Sequence, residues 1–320
     1  MKRCLVVLLL FCLLVQLSEA SAAQASTEAG REITRAALAP PINLKFQPDF
    51  PGREVAKPAE SDLQRAIPFQ LSAGYLLLVR GRVGQMDGLR FVLDTGSTYT
   101  IIDRKIANRL GLARRPSQVL TLDRAVRVQR SVLPELQLGP IHLQNLAVII
   151  ADLGYFASYA THVDAVIGLD ILRRGNFTVD FNARTVSFGG ISHGTFDVPL
   201  TADPVCLTVA VEIGGRSFRL LVDTGVKELV LYDTRTRGRL PALRINGEAY
   251  GLGLEGRVAS KMAFLPATEL GTAEIERTAF LVNGPDKNTL PGVDGYLGIA
   301  ALKARRITFD FSAGRLTWGR

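Results

Sequence analysis

The sequence predicts an all-β chain built from two homologous lobes, and three observations carry that prediction. Beyond Ile67 the chain breaks into short apolar runs separated by Gly, Asp, Asn and Pro. Four sequence blocks recur in the same order at a near-constant offset. One of these blocks, an apolar run that ends in Asp-Thr-Gly, places the same polar triplet once in each half. The first observation is the mark of strands with turn punctuation, and the second is the mark of a repeated structural unit.

The clearest strand-length runs are Tyr75 to Val79, Phe91 to Leu93, Leu146 to Ile150, Phe177 to Phe181 and Thr185 to Phe188, all rich in Val, Ile, Leu and Phe. Helix signals are scarce. The best is Arg104 to Leu110, with Asp103 placed to accept orphan amides as its N-cap and Gly111 placed to stop it.

Phe91-Val92-Leu93-Asp94-Thr95-Gly96 recurs as Leu220-Leu221-Val222-Asp223-Thr224-Gly225. Leu133-Pro134 with Leu138-Gly139 recurs as Leu265-Pro266 with Leu270-Gly271. Val163-Asp164-Ala165-Val166-Ile167-Gly168 recurs as Val293-Asp294-Gly295-Tyr296-Leu297-Gly298, and Val179-Asp180-Phe181 as Phe309-Asp310-Phe311. A period of about 130 residues is far longer than the roughly 20 to 50 residues of a solenoid unit, so the duplication reads as two lobes. Their expected bounds are residues 67–195 and 196–320.

The N-terminus has a different character. Lys2 and Arg3 precede an apolar run from Leu5 to Val15, then Ala20-Ser21-Ala22, which is the order of a secretory signal peptide over residues 1–22. Residues 23–66, with prolines at 40, 41, 48, 51 and 58, read as a linker or removable pro-segment. The expected location is therefore outside the cytoplasm, periplasmic or secreted, with no integral membrane span once the leader is removed. Cleavage would take Cys4 and Cys12 with it, leaving Cys206 as the only thiol and no internal disulfide. Cys206 sits in the apolar stretch Val205 to Val211 and reads as a buried structural residue. The formal charge of +8 becomes +7 without the leader. It reads as a solvated basic surface, because no motif accompanies it that would recruit nucleic acid.

A repeated Asp-Thr-Gly after a buried strand has a definite chemical use. Glycine permits the sharp turn that presents the preceding Asp at the strand end. Two lobes related by a pseudo-twofold axis bring Asp94 and Asp223 together. Carboxyls about 3 Å apart do not both ionise readily, so the pair holds one proton. The ionised member takes a proton from water while the protonated member polarises a peptide carbonyl. That chemistry needs no metal, nucleophile or cofactor, and none is expected. His142, His162 and His193 lack metal-ligand spacing, and neither a Gly-x-Ser-x-Gly elbow nor a phosphate loop is present.

At these residues the sequence resembles the aspartic peptidases, the superfamily of two-lobed pepsin-like and dimeric retroviral-type proteases. Asp94-Thr95-Gly96-Ser97 and Asp223-Thr224-Gly225-Val226 match its catalytic signature. Val166-Ile167-Gly168 and Tyr296-Leu297-Gly298 match the apolar-apolar-Gly element that packs behind each catalytic loop. The resemblance covers residues 67–320 and looks more like two fused retropepsin-type units than a vertebrate pepsin. It implies the bilobal acid-protease fold with a cleft between two β-barrel lobes, catalysis by Asp94 and Asp223, and a lock between the loops through the hydroxyls of Thr95 and Thr224. It also implies a peptide or protein substrate, and a monomer whose lobes form an intramolecular pseudo-dimer. The competing reading is a catalytically relaxed protein that binds peptides in the same cleft.

Substrate cover in this family comes from a β-hairpin flap. In the second lobe, Gly247, Gly251, Gly253 and Gly256 interleaved with Tyr250, Leu252 and Leu254 fit such a hairpin; Tyr250, Gly251 and Gly253 are its candidate working residues. The first lobe offers Leu120 to Val128 without glycine. One departure separates the lobes: Ser97 follows the first triplet and Val226 the second. A Ser97 hydroxyl supporting Asp94 would favour its ionisation, so Asp94 is expected to carry the charge and Asp223 the proton. Lys227 and Glu228 are expected to be solvated.

Overall fold

The computed structural model describes residues 66–320 apart from Asp123, Ala160, Glu255 and residues 285–289, together with two two-residue strands, Leu5–Val6 and Leu14–Val15. The leader and linker readings therefore fall outside the described residues, those four positions excepted. Among the described residues no helix is long and apolar enough to cross a membrane.

In the first lobe, β1 (Ile67–Ser72), β2 (Leu76–Val83) and β3 (Met86–Leu93) form a meander. The chain then passes through β4 (Ile101–Asp103) into a short helix α1 (Arg104–Arg109). Asp103 caps α1 as anticipated, its carboxylate accepting the Lys105 amide at 2.8 Å, and Leu110 closes the helix one residue before Gly111. There follow β5 (Arg115–Leu120), β6 (Ala125–Leu138) and β7 (Ile141–Ala151), a 3-10 turn over Gly154–Tyr159, β8 (Ala165–Ile167) and a single helical turn α2 (Leu169–Leu172). A hairpin of β9 (Phe177–Asp180) and β10 (Thr185–Phe188) ends the first half.

The second half opens with β11 (Phe196–Pro199) and β12 (Thr201–Ala202) and then repeats the plan. Its strands are β13 (Leu207–Ile213), β14 (Arg216–Asp223) and β15 (Leu229–Tyr232), with the turn α3 (Asp233–Thr236). A long hairpin of β16 (Arg244–Gly253) and β17 (Gly256–Phe264) precedes β18 (Thr268–Leu270), β19 (Ala273–Glu274), β20 (Thr278–Val282) and β21 (Gly295–Gly298). The terminal hairpin is β22 (Arg306–Asp310) with β23 (Arg315–Gly319).

Both lobes run the same strand order. The first reads β2-β3-β8-β4-β7-β6-β5 and the second β13-β14-β21-β15-β20-β17-β16. The fold is the all-β, bilobal acid-protease architecture, and the lobes are joined by a shared sheet in the order β11-β23-β22-β9-β10-β1. Its centre is the antiparallel pair β9 and β22, where Phe177 stacks on Phe309 at 4.5 Å and the hydroxyls of Thr178 and Thr308 lie 2.9 Å apart. Phe177, Val179, Phe309 and Leu316 are buried in one core that runs from lobe to lobe through this sheet. Removing that much apolar surface from water at roughly 25 cal/mol per Å² fixes the two lobes against each other without a disulfide.

Candidate active site

Each Asp sits where a fully buried strand runs out. Phe91, Val92 and Leu93 of β3 and Leu220, Leu221 and Val222 of β14 are all at most 1 % exposed, and Asp94 and Asp223 follow them. The apolar-apolar-Gly elements each slot between the two legs of an Asp-Thr-Gly loop. Val166 and Ile167 pair in parallel with Val92 and Leu93, and β8 also pairs antiparallel with β4. Tyr296, Leu297 and Gly298 pair in parallel with Leu221, Val222 and Asp223, and β21 pairs antiparallel with β15. The terminal glycines are required by close approach. A Cβ on Gly168 would stand 2.6–2.8 Å from the backbone of Tyr99 and Ser97, and one on Gly298 would stand 2.5–2.6 Å from the backbone of Val226, Lys227 and Glu228.

The two loops then interlock across the lobe boundary. Thr95 Oγ1 accepts the Thr224 amide at 3.1 Å and donates to the Val222 carbonyl at 2.9 Å. Reciprocally, Thr224 Oγ1 accepts the Thr95 amide at 3.0 Å and donates to the Leu93 carbonyl at 2.7 Å. All of these groups are buried.

That lock brings the carboxyls of Asp94 and Asp223 together, close enough that each acts directly on the other's ionisation. Asp94 Oδ1 accepts the Gly96 amide at 2.8 Å and Asp223 Oδ1 accepts the Gly225 amide at 2.6 Å. The Asp223 carboxyl packs directly on the Cα of Gly96, so any side chain there would overlap it. Burial, then the neighbouring Asp223 charge, holds Asp94 well above the ordinary carboxylate range. Burial also pushes Asp223 up to about 7, against the Asp94 carboxyl and the amides of Gly225, Gly96 and Val226, which favour its charge. The two carboxyls titrate as a unit, and their burial and mutual proximity keep one proton on the pair above the ordinary carboxylate range.

The hydrogen bond expected between the Ser97 hydroxyl and Asp94 is not formed, and the reason is local. Ser97 Oγ donates to the Tyr99 carbonyl at 2.7 Å instead of reaching the Asp94 carboxylate. Both carboxyls are served by backbone amides, that of Ser97 for Asp94 and that of Val226 for Asp223. The side chain at that position is free to differ between lobes, and Val226 is fully buried in apolar packing.

Several residues at the site carried no signal in the repeat pattern. The charges of Asp94 and Asp223 reach the phenol of Tyr75, and that of Asp94 reaches the phenol of Tyr155; burial holds both phenols above their usual range. Asp170 is anchored under the first loop, accepting the Thr100 amide at 3.0 Å and the Thr100 hydroxyl at 2.8 Å, and burial pushes it up to about 6. Its positional counterpart in the second lobe is Ala300, so a search for repeated residues passes over it. The repeated Asp164 and Asp294 are structural: each accepts a backbone amide of the strand leading to a catalytic Asp candidate, from Arg90 at 2.9 Å and Arg219 at 3.0 Å.

The proposed flap residues lie on a real hairpin, with Tyr250 opposite Ala259, Gly251 opposite Val258 and Gly253 opposite Gly256. The first lobe has its own hairpin, β5 with β6, although it lacks glycine. Its turn is closed instead by Thr121, whose amide and hydroxyl both bond the Arg124 carbonyl, at 2.7 and 2.8 Å. Lys227 is exposed, but Glu228, expected to be solvated, is half-buried; it pairs with Lys227 at 2.9 Å, and its charge reaches Tyr75. Cys206 is buried just ahead of β13, and burial pushes its thiol up to about 11, which keeps it unreactive.

Residues 79–171, which hold the first Asp-Thr-Gly and the first apolar-apolar-Gly element, match the family model described as aspartyl protease. The match falls within the first lobe. None of the curated proteins matches it in sequence at a significant level. Among solved structures, this chain is similar to basic 7S globulin from soybean, at 13% identity over 79% of this chain and 94% of that one, with a TM-score of 0.40. It is also similar to conglutin gamma, a basic 7S globulin from lupine seeds, at 12% identity over the same shares and a TM-score of 0.41.

Proposed function

We propose that the protein is an exported aspartic endopeptidase whose catalytic pair is Asp94 and Asp223. The observation that carries this reading is the pair itself: two buried carboxyls in contact, each held by the amides of its own loop, and locked across the lobes by Thr95 and Thr224. A structural core has no use for two adjacent buried acids, which cost several kcal/mol to bury ionised. A hydrolase does. With one carboxyl of the pair ionised and the other protonated, the ionised one takes a proton from a water held between them while the protonated one passes its proton to the scissile carbonyl oxygen. The water oxygen bonds to the carbonyl carbon, giving a tetrahedral diol. The proton gained from water then passes to the amide nitrogen as the C–N bond breaks, and the other carboxyl recovers its own proton as the carbonyl re-forms.

The repeated blocks and the matching strand order support an internal duplication in which each lobe supplies one Asp. The leader-like first 22 residues support export, periplasmic or secreted, and the lock within one chain supports a monomer. The test is cleavage of an unfolded protein by the purified chain. Asp94→Asn and Asp223→Asn should each abolish it, a loss of about 10²–10⁴-fold or more, with circular dichroism unchanged. Turnover that survives either substitution sinks the proposal. A chain that binds peptides without turnover would instead be the relaxed, non-catalytic form.

A further inference from the structure

The two Asp-Thr-Gly loops are held in place by different means. In the first lobe, one residue of the helical turn α2 makes three hydrogen bonds to the outgoing leg of the loop. The Asp170 amide donates to the Thr98 carbonyl at 3.2 Å, and its carboxyl accepts the Thr100 amide at 3.0 Å and the Thr100 hydroxyl at 2.8 Å. The same hydroxyl accepts the Gly168 amide at 3.3 Å, and the Ser97 hydroxyl donates to the Tyr99 carbonyl at 2.7 Å. Ser97 and Thr100 are fully buried. Each side-chain oxygen of Ser97, Thr100 and Asp170 has a partner within this set.

At the matching places in the second lobe stand Val226, Leu229 and Ala300, whose side chains cannot hydrogen-bond. Strand pairing fixes the correspondence, because Ile101 faces Val166 in one lobe as Val230 faces Tyr296 in the other. Val226 and Leu229 are fully buried in apolar packing. The Gly298 amide, with no hydroxyl beside it, donates to the Glu228 carbonyl at 3.1 Å. All three positions thus differ together. The second lobe shows that this loop folds without the polar set, and exchanging both members of a buried hydrogen-bonded pair for apolar groups is nearly neutral in stability. What the polar set adds is direction: a satisfied buried network specifies one geometry, whereas apolar contacts tolerate small shifts.

Taking Asp94 and Asp223 as the catalytic pair proposed above, we infer that Asp170 is a positioning residue, the anchor of a side-chain brace through Thr100 and Ser97 that fixes Asp94 relative to Asp223. The path between them is short. The Ser97 amide serves the Asp94 carboxyl, and the Ser97 carbonyl accepts the Leu169 amide at 2.8 Å. Thr98 and Thr100, just beyond, are the two residues that Asp170 grips. Asp170 acts through this segment and not on the reacting atoms. Its importance lies in precision, since misplacing a catalytic group by about 1 Å costs about 10²-fold in rate.

The test transplants the second lobe's pair into the first, as Thr100→Leu with Asp170→Ala in the full chain. Its thermal midpoint should stay within about 4 °C of wild type, because both partners leave together. Asp170→Ala alone, which strands the Thr100 amide and hydroxyl, should lower the midpoint further. On an unfolded protein substrate the double variant should lose about 10- to 100-fold in kcat, with KM within about 3-fold. Asp170→Asn keeps an acceptor for Thr100 and should remain within about 5-fold of wild type. Amide hydrogen exchange, read by mass spectrometry, should quicken about 10-fold or more across residues 97–100 of the double variant and stay unchanged across residues 226–229. Unaltered kcat, unaltered exchange over residues 97–100, or an Asn variant as slow as the apolar pair would overturn the inference. Exchange needs no turnover, so a wild-type chain that does not cleave defeats the endopeptidase reading, while exchange alone still decides whether Asp170 holds the loop.

Discussion

Thr95 and Thr224 each hold the other's backbone: the hydroxyl of one accepts the amide of the other, at 3.1 and 3.0 Å, and donates onward to the carbonyl of Val222 or Leu93. Replacing Thr95 by Val keeps the shape but leaves the Thr224 amide and the Val222 carbonyl buried without that partner. The expected cost is about 1–3 kcal/mol, read as a lower denaturation midpoint at unchanged slope. Thr224→Val should cost the same by symmetry. The double variant should lose less than the sum, with a coupling of roughly 0.5–3 kcal/mol; strict additivity would mean that the two hydroxyls do not form one unit.

Gly168 and Gly298 test the packing behind the loops. Alanine at either position drives a methyl group into backbone atoms 2.5–2.8 Å away, and backbone cannot swing aside as a side chain can. Overpacking of this kind costs about 1–3 kcal/mol. Because the displaced segment is Ser97–Tyr99 or Val226–Glu228, activity should fall further than stability does. The comparison is kcat against thermal midpoint for Gly168→Ala and Gly298→Ala. A variant with lowered midpoint and unaltered kcat would show that the loop position is not transmitted to the carboxyls.

Much of this architecture was legible in the sequence because it is repeated. Buried strands, the Asp-Thr-Gly triplets and the apolar-apolar-Gly elements recur at nearly one offset, and repetition separates a candidate Asp from an ordinary turn Asp. What repetition could not show is what differs between lobes. Asp170 bonds Thr100 twice, yet its counterpart is Ala300, so it carried no repeat signal. The first-lobe hairpin lacks glycine, the cue used to find the second; a Thr121 bond to Arg124 closes its turn instead. The Ser97 and Val226 difference looked chemical in sequence because a hydroxyl beside a carboxylate invites a hydrogen bond. Only side-chain geometry reveals that Ser97 turns to the Tyr99 carbonyl.

That geometry makes a definite prediction at position 226. If backbone amides support both carboxyls, Ser97→Ala and Val226→Ser should leave the pH dependence of kcat/KM unmoved. Val226→Ser should nevertheless destabilise the fold, because it exchanges a fully buried apolar side chain for a hydroxyl in an apolar cluster. The expected loss is about 1–3 kcal/mol. A shifted limb in either variant would return the side chain to the catalytic circuit.

The pH dependence of stability follows from the buried acids, with a definite sign. Asp223 is held at about 7 and Asp94 above its ordinary value of 3.8, while both titrate near 3.8 once unfolded. Between about pH 4 and 7 the native state therefore binds more protons than the unfolded state, and stability falls as pH rises. Asp170, held at about 6, adds the same slope over the lower part of that window. The thermal midpoint of the wild-type chain should decline from about pH 4 to about pH 7. Asp223→Asn should flatten the decline without abolishing it, because Asp94 and Asp170 remain. The same ionisation governs activity. The pair is competent when it holds one proton, so kcat/KM should follow a bell whose acidic limb lies above the ordinary carboxylate range. An activity maximum near pH 3, or a midpoint that rises from pH 4 to 7, would show that the carboxyls are far better solvated in the working enzyme than their burial here requires.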